Sequence, residues 1–491
     1  MVSHPHPLKP ELMPAMLNIQ VRKPSRMLSG ITVVAVMTHP LPCPGECVYC
    51  PGGLGYNAPK SYFGNEPAVR RARRNQFHPF KQVYERLRQY EALGHNPSKL
   101  EVIIMGGTFL ALPESYKKWF IANIYEACNT YPYGSPPLRV DLESAILRNE
   151  TSRYRVVGLT IETRPDYGRE RHADEMLHYG ATKVELGVQS IYDDVLEIVR
   201  RGHSVKDTIE STRILRDAGF KICYHIMLGL PGSNPDRDLE MVKELFTNPD
   251  FRPDMLKIYP TEVIEGTTLY TWWKEGKYKP YSDEDVIELV SEMYRYIPKY
   301  VRVMRIRRDI PADEVAAGTR YANLREMIEK SAIEKGIEIQ EIRFREAGLQ
   351  MYKYGKTPDP SRTNITRLTY EAGGGIEEFL AVEDTASNIL IGFLRMRVPS
   401  EKAHRWEIDR DTAIIRELHI YGPETPVGEK GVWFQHVGWG RKLVEKAEDI
   451  ALNKYGVKKI LVISGVGARE YYRRLGYFHP PESPYMFKYL K

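Results

Sequence analysis

Six apolar runs alternate with helix-length polar stretches through the first 300 residues, and this alternation constrains the fold more than any other feature. Each run is long enough for one buried strand, and the runs read ITVVAVMT, EVIIMGGTF, VVGLTIETRPD, KVELGVQS, FKICYHIMLGLPG and MLKIYPTEV. Near-continuous apolar strands joined by helical crossovers are typical of parallel sheets. We therefore predict an α/β fold that begins with a partial (β/α)6 barrel.

Polar or glycine-rich residues follow these strands in order. Because barrel chemistry collects at the C-terminal ends of the strands, we expect these residues to meet in one site. Those that we assign to cofactor binding are Gly106, Gly107, Thr108, Glu162, Arg164 and Gln189.

Three of the five cysteines lie close together in a CxxxCxxC pattern, as Cys43, Cys47 and Cys50. Iron–sulfur clusters normally take four protein ligands, so three thiolates on one loop favour a cubane whose fourth iron is completed by a substrate or cofactor. A structural zinc site is the alternative, with His39 as the nearest fourth ligand. We expect no disulfide here, because the chain shows no signal peptide and has few cysteines.

Length and composition indicate a globular protein of several domains. A chain of 491 residues exceeds the size at which a single core keeps growing. Its content of 42% hydrophobic and 27% charged residues is ordinary for a soluble protein. No apolar run reaches membrane-spanning length, so we expect a cytoplasmic protein without a membrane partner.

Basic residues cluster although the formal net charge is only +6. Clustered arginines favour phosphate-bearing partners, whereas a solvated helix face is the alternative for any one cluster. The clusters comprise Arg70, Arg71, Arg73, Arg74, Lys81, Arg86 and Arg88; Arg302, Arg305, Arg307 and Arg308; and Arg343 with Arg345.

The sequence pattern changes after residue 336. EEFLAVED and ILIGFLRMRV indicate a hairpin-like pair of strands, and AIIRELHIYGP indicates a further strand before an amphipathic helix. We predict an N-terminal segment at 1–24, the barrel at 25–314, a helical linker at 315–336 and an α+β domain at 337–491.

A QxxGxG turn opens the predicted helix of the second domain. Backbone N–H groups and the positive end of the helix dipole make such a turn a candidate pyrophosphate cradle. Its residues are Gln435, Gly438, Trp439, Gly440 and Arg441.

The cysteine motif followed by a strand with a GGT turn resembles the radical S-adenosylmethionine (SAM) superfamily. The resemblance implies a [4Fe-4S] cluster whose open iron binds the amino and carboxylate groups of SAM. It also implies that the backbone of Gly106, Gly107 and Thr108 receives the ammonium group, and that reductive cleavage gives a 5′-deoxyadenosyl radical.

The QxxGxG helix, the next strand and the Tyr-Tyr helix resemble GNAT-type acetyltransferases, which implies acetyl-CoA binding. By this resemblance, the strand at Glu417, Leu418, His419 and Ile420 splays from its neighbour and pairs with the pantetheine arm. A tyrosine near the last helix handles the thiolate side; we predict Tyr472 first and Tyr471 second. For both, packing in an aromatic core is the alternative.

From about Ser25 onward the chain resembles the family of the catalytic subunit of Elongator in its archaeal stand-alone form. SYFGNEPAVRR, TIETRPDYG, ELGVQSIYDDV, IIRELHIYG, FQHVGWGRKL and ISGVGAREYYRRLGY carry this resemblance. It implies 5-carboxymethyluridine formation at the wobble uridine of tRNA, with acetyl-CoA as the carbon source and Lys99 contacting acetyl-CoA from the barrel. The partners implied are tRNA and an electron donor, and a second copy of the chain or accessory subunits remain open as further partners.

Two departures from that family bear on binding. Only about 25 residues precede the matching region, whereas family members usually carry a longer basic extension that helps to bind tRNA. The stretch VRVMRIRRDIP has none of the linker cysteines that bind zinc in some relatives, so we predict no zinc there.

Two other functions remain open from the sequence. A protein lysine acetyltransferase with a structural cluster would need a general base, for which Glu417 or His419 would serve. A non-catalytic scaffold would bind tRNA without turning over acetyl-CoA.

Overall fold

The computed structural model describes residues 29–422 and 438–491. It has the α/β fold predicted from the sequence, with one parallel and one mostly antiparallel sheet. Its elements up to residue 354 are β1 (Thr32–Met37), α1 (Pro67–Arg74), α2 (Pro79–Ala92), β2 (Lys99–Met105), α3 (Glu114–Thr130), α4 (Leu142–Asn149), β3 (Arg155–Thr163), α5 (Glu170–His178), β4 (Lys183–Gln189), α6 (Asp193–Ile198), α7 (Val205–Asp217), β5 (Lys221–Leu228), α8 (Pro235–Thr247), β6 (Met255–Pro260), β7 (Val263–Ile264), α9 (Thr268–Lys274), α10 (Asp283–Met293), β8 (Arg302–Ile306), β9 (Val315–Ala317), α11 (Leu324–Glu334), α12 (Ile342–Arg345) and α13 (Ala347–Tyr354).

The first sheet is a partial barrel of seven parallel strands in the order β1-β2-β3-β4-β5-β6-β8. Six of them are the predicted strands, and β8 is a seventh that lies within the arginine-rich stretch after residue 300. Strands β7 and β9 form a separate antiparallel pair. Helix α11 packs against α10, on the outside of the barrel.

Local sequence signals set where the crossover helices begin. Before α7, the Ser204 hydroxyl accepts a hydrogen bond from the backbone N–H of Asp207, whose carboxylate accepts one in return from the N–H of Ser204. Ser282 and Asp285 repeat this arrangement before α10. Capping of this kind satisfies N–H groups that the first helical turn leaves unpaired.

The second sheet has six strands in the order β10-β11-β12-β13-β14-β15, of which only the β13–β14 pair is parallel. A tight turn at Gly373 and Gly374, both with positive φ, joins β10 to β11. The elements of this part are β10 (Thr363–Ala372), β11 (Gly375–Asp384), β12 (Ile389–Val398), β13 (Thr412–Ile420), α14 (Trp439–Tyr455), β14 (Lys459–Val462), α15 (Arg469–Arg473) and β15 (Met486–Tyr489).

The two sheets share one hydrophobic core, in which barrel residues such as Leu215 and Phe220 join Ile414 and Ile463 of the second sheet. The second sheet is therefore packed directly on the barrel.

No helix among residues 29–422 and 438–491 combines the length and the apolar content that crossing a bilayer requires.

Candidate active site

The three clustered cysteines lie on the loop that follows β1, and all three are free, partly exposed thiols. The backbone N–H of Gly45 donates a hydrogen bond to Cys43 Sγ at 3.5 Å. A Cβ atom added to Gly45 would lie 3.7 Å from Cys43 Sγ and 3.6 Å from Cys47 Sγ. The loop therefore brings Cys43 Sγ and Cys47 Sγ to the same side of Gly45, which has no side chain.

The glycine turn after β2 lies against this loop, as the sequence order of polar strand ends predicts. Gly106 and Gly107 have φ of 131° and 72°, a region that favours glycine. A Cβ on Gly107 would lie 3.9 Å from Cys43 Sγ, and Thr108 Oγ1 lies 3.6 Å from the same sulfur. Three thiols on one loop, flanked by glycine backbone, suit a cluster with three protein ligands.

Several buried polar atoms near the cysteine loop have no hydrogen-bond partner among the residues that the structure describes. They include Arg164 Nη1, Gln189 Oε1 and both ring nitrogens of His203. Arg164 is held by Asp166 at 2.9 and 2.8 Å, and its free Nη1 points toward Gly45. Because an unpaired buried polar atom is costly, such a group of atoms fits a site that a bound ligand completes.

His203 is neutral at physiological pH. Burial, followed by the charges of Arg201 and Arg164, lowers the pKa of His203 to about 2. The ring can therefore offer one donor and one acceptor, but not a charge.

Glu162 is the penultimate residue of β3, and its carboxylate is directed into the barrel. Tyr62 donates a hydrogen bond to Glu162 Oε2 at 3.0 Å, and Lys257 Nζ lies 3.5 Å from Oε1. Lys257 also pairs with Glu185, whose Oε2 accepts a hydrogen bond from His225 Nε2 at 2.8 Å. Burial raises the pKa of Glu185, but the charge of Lys257 and the hydrogen bond from His225 outweigh burial, so this pKa lies well below its usual value.

A second set of charges lies at the opposite, N-terminal end of the strands. Lys99, Lys183 and Lys221 are the first residues of β2, β4 and β5. Lys183 pairs with Glu101, whereas the Lys221 ammonium donates only to Thr182 Oγ1, at 3.4 Å, in the part of the chain that the structure describes. Burial lowers the pKa of Lys221.

One cavity of about 1830 Å³ joins the barrel interior to the second sheet. The inner face of β2 lines it along the whole strand, from Lys99 to Met105, a span of about 20 Å at the usual rise per residue. Residues of β13 and residues at helices α14 and α15, beside the second sheet, also line the cavity: Glu417, Leu418, His419, Ile420, Gly438, Gly440, Arg441 and Tyr471.

Only the first half of β13 pairs with β14. The pairing runs from Thr412 opposite Lys459 to Ile415 opposite Val462, and beyond this point β13 pairs only with β12. Residues 417–420 thus have a strand edge that β14 does not cover. Glu417 is bound by Arg395 at 2.8 Å, and His419 Nε2 lies 2.9 Å from the Ser29 carbonyl oxygen.

The start of α14 faces the same opening. Gly438 precedes the helix with φ of 90°, and Trp439, Gly440 and Arg441 form its first turn. Arg441 pairs with Glu445 at 3.1 Å. The predicted cradle residue Gln435 lies outside the described residues.

The two candidate tyrosines have different surroundings. The Tyr471 hydroxyl is buried without a hydrogen-bond partner in the described part of the chain, lines the cavity, and lies 2.7 Å from where a Cβ on Gly440 would be. Tyr472 instead packs in the hydrophobic core beneath, edge-on to Tyr477. Burial raises the pKa of Tyr471 to about 12, so its phenol keeps the proton at neutral pH.

Many arginines of the three basic clusters are occupied by contacts within the chain. Arg73 donates to backbone carbonyls of Asn57, Tyr56 and Gly64, and Arg307 pairs with Glu262 at 2.7 Å. Arg71, Arg302, Arg343 and Arg345 also donate to carbonyl or carboxylate oxygens. These side chains therefore stabilise the fold, and Arg70 is an exposed member of the clusters at the cavity rim.

Sequence reasoning missed Arg201, Lys183, Lys221, Glu185 and Lys257. A signal existed for Lys183 and Lys221, because a cation that begins an apolar parallel strand is unusual. None exists for Arg201, whose position depends on the packing of two distant segments.

Comparison with known proteins places the chain in a family. Residues 38–245 match the Radical SAM superfamily and residues 253–334 match the Radical_SAM C-terminal domain. The tRNA uridine(34) acetyltransferase of Methanocaldococcus jannaschii is 49% identical over 96% of this chain and 86% of its own length. The human Elongator complex protein 3 is 44% identical, with the same coverage of both chains.

A solved structure agrees with this relationship. The archaeal Methanocaldococcus infernus Elp3 with an N-terminal deletion superposes with a TM-score of 0.83 at 45% identity, covering 94% of this chain and all of that one. The resemblance to the radical SAM superfamily is thus confirmed, and with it the implied [4Fe-4S] cluster and SAM. The chain belongs to the family formed by the tRNA uridine(34) acetyltransferases and Elongator complex protein 3.

Proposed function

We propose that the protein modifies the wobble uridine of tRNA to 5-carboxymethyluridine, with acetyl-CoA as the source of the two added carbons. The names of its relatives, which specify tRNA and uridine 34, support the substrate. In this reaction an acetyl methyl C–H bond is broken and its carbon is joined to C5 of the base. The base gives up its C5 hydrogen as a proton together with one electron, which balances the electron consumed when SAM is cleaved, and hydrolysis of the thioester releases CoA.

The observation that carries the proposal is the cavity shared by both parts of the chain. It extends from Tyr471 and the start of α14 to Met105, the residue next to the Gly106–Gly107 turn at the cysteine loop. An acetyl group held at α14 therefore has a continuous path toward the loop. A simple acetyltransferase would not need its acetyl site to open into the barrel.

We assign Cys43, Cys47 and Cys50 to the cluster, and the glycine turn, Glu162, Arg164 and Gln189 to SAM. When bound, these groups supply a 5′-deoxyadenosyl radical, which takes a hydrogen atom that side-chain bases cannot remove.

Acetyl-CoA is assigned to the second sheet. The N–H groups at the start of α14 suit its pyrophosphate, and the uncovered edge of β13 at residues 417–420 suits the amides of its pantetheine arm. Lys99 approaches from the barrel side of the cavity. The Tyr471 phenol, protonated at neutral pH, is placed to protonate the thiolate that hydrolysis releases.

The target base must leave the anticodon stack to enter this cavity, as is usual for enzymes that do chemistry on a base. The exposed Arg70 at the rim suits a phosphate of the tRNA backbone. Affinity for tRNA should consequently fall as salt is raised.

The test is anaerobic. The protein is reconstituted with iron and sulfide, reduced, and supplied with SAM, bulk tRNA and acetyl-CoA deuterated at the acetyl methyl group. We expect carboxymethylated uridine by nucleoside mass spectrometry and deuterium in the 5′-deoxyadenosine. Acetylated uridine, or CoA release with unmodified tRNA and unlabelled 5′-deoxyadenosine, would contradict the proposal.

A matched pair of cysteine variants separates the cluster from general stability. Cys47→Ala should abolish both products, whereas Cys128→Ala, which changes a buried core cysteine away from the loop, should retain them. Acetyl transfer to lysine in a protein, without any effect of Cys47→Ala on turnover, would favour the acetyltransferase alternative.

A further inference from the structure

Arg201 is a buried arginine that contacts one cysteine of the candidate cluster site. Its Nη1 donates to Cys47 Sγ at 3.4 Å, while Nε and Nη2 donate to the Gly187 carbonyl oxygen at 3.1 and 2.6 Å. The guanidinium thus connects the backbone of β4 to a single sulfur.

The surrounding backbone fixes this contact. The Val48 N–H donates to the Val199 carbonyl at 3.1 Å, which ties the cysteine loop to the end of α6, and the Arg201 N–H donates to the Leu196 carbonyl at 2.9 Å. A Cβ on Gly187 would overlap Arg201 Nη2. A glycine in β4 is therefore needed to leave room for the guanidinium.

The charge on Arg201 is not neutralised by a carboxylate among its described partners, which are one carbonyl oxygen and one sulfur. Arg164, on the other side of the loop, differs because Asp166 neutralises it. Arg201 is therefore a buried cation whose field acts on the cysteine loop without a neutralising carboxylate among its described partners.

We propose that Arg201 is a positioning residue that raises the reduction potential of the [4Fe-4S] cluster through its hydrogen bond to Cys47. An oxidised 2+ cubane with three thiolates has a net charge of minus one, and it gains a second negative charge when one electron enters from a low-potential iron–sulfur or flavin donor, without a proton. A buried cation and a hydrogen bond to sulfur both stabilise the more negative state.

The inference rests on the cluster assigned above, and one experiment tests it apart from turnover. The full-length wild type, Arg201→Met and Arg201→Lys are reconstituted, and the midpoint potential of each is measured by a dithionite titration followed by electron paramagnetic resonance. Arg200→Met is the matched control, because Arg200 is the exposed neighbour.

We expect at least a tenfold less favourable reduction equilibrium for Arg201→Met, which is 59 mV for a one-electron couple. Arg201→Lys should shift the potential in the same direction by less, and Arg200→Met should leave it unchanged. Gly187→Ala, which displaces the guanidinium without removing it, should shift the potential toward that of Arg201→Met.

Equal potentials for the wild type and Arg201→Met would overturn the inference. If both Arg201 variants fail to bind iron, Arg201 serves to assemble the loop, which also overturns it. A wild type without a cubane signal would instead contradict the proposed function.

Discussion

At the scale of single residues, the clearest choice lies between two adjacent tyrosines. Successive residues of a helix point about 100° apart, so only one of Tyr471 and Tyr472 can face the cavity. We predict that Tyr471→Phe lowers CoA release and uridine modification at least tenfold, because the phenolic proton donor is lost. Its unfolding midpoint should hardly change, since the hydroxyl has no hydrogen-bond partner among residues 29–422 and 438–491.

Tyr472→Phe is the matched control, and we expect less than a twofold change in either product. An equal loss in both variants would show that the pair acts as part of the core. The sequence could not order the two tyrosines, because both precede the same short polar stretch and the alternative of aromatic packing applies equally to each.

His172 allows a prediction of pH dependence. Burial, and then the charge of Arg171, lowers the pKa of His172 to about 4, against about 6.5 when unfolded. As the pH falls below 6.5 the unfolded chain binds a proton that the folded chain does not, so stability is lost progressively between about pH 6.5 and 4.

Urea unfolding at pH 7.5 and 4.5 measures this effect. The loss between these values should be smaller in His172→Gln than in the wild type by about 1–2 kcal/mol, allowing for partial screening by solvent. The exposed His178→Gln should lose as much as the wild type. Equal losses in all three proteins would contradict the assignment.

At the scale of elements, the opening between β13 and the start of α14 depends on a small residue. A Cβ at Gly440 would lie 2.7 Å from the Tyr471 hydroxyl and beside Ile420. We predict that Gly440→Ala raises the KM for acetyl-CoA at least tenfold, because the methyl group displaces the tyrosine and narrows the cradle.

The control is Gly456→Ala at the other end of α14. Gly456 has φ of 67° with open space around its Cβ position, so this variant should lose about 1 kcal/mol of stability while keeping the wild-type KM. If Gly456→Ala also raised the KM for acetyl-CoA, the increase in Gly440→Ala would result from lower helix stability rather than from a narrower cradle.

The same scale shows how far the sequence predicts this structure. The six predicted strands are present because each is a largely apolar run of strand length. The strand β8 was missed because Arg302 and Arg305 are two of its five residues, so the stretch reads as a basic cluster. Lys183 and Lys221, the first residues of β4 and β5, were missed because their convergence depends on strand order, whereas Lys99 at the start of β2 was predicted from the family resemblance.

At the scale of the whole molecule, buried ion pairs join the barrel to the second sheet. Arg416 of β13 binds Asp254 at 2.7 Å and Glu377 at 2.8 Å, and Arg397 binds Asp217 at 2.6 Å. All of these side chains are buried. The arginines hold the pKa of Asp254 well below its usual value, so the carboxylate is charged throughout the physiological range.

Because charged side chains from both the barrel and the second sheet are desolvated in this interface, the barrel and the second sheet should unfold together. We predict that Asp254→Asn lowers the free energy of unfolding by about 3–5 kcal/mol, since it leaves Arg416 buried without its main counter-ion. The exposed pair of Lys446 and Asp449 provides the control, and Asp449→Asn should leave the unfolding midpoint nearly unchanged.

Urea titrations followed both by tryptophan fluorescence and by far-ultraviolet circular dichroism should coincide in the wild type. Two separated transitions in the wild type would mean that the interface does not couple the acetyl site to the barrel. Equal midpoints for Asp254→Asn and Asp449→Asn would mean the same. Bound substrate would then have to hold the two sides of the shared cavity together.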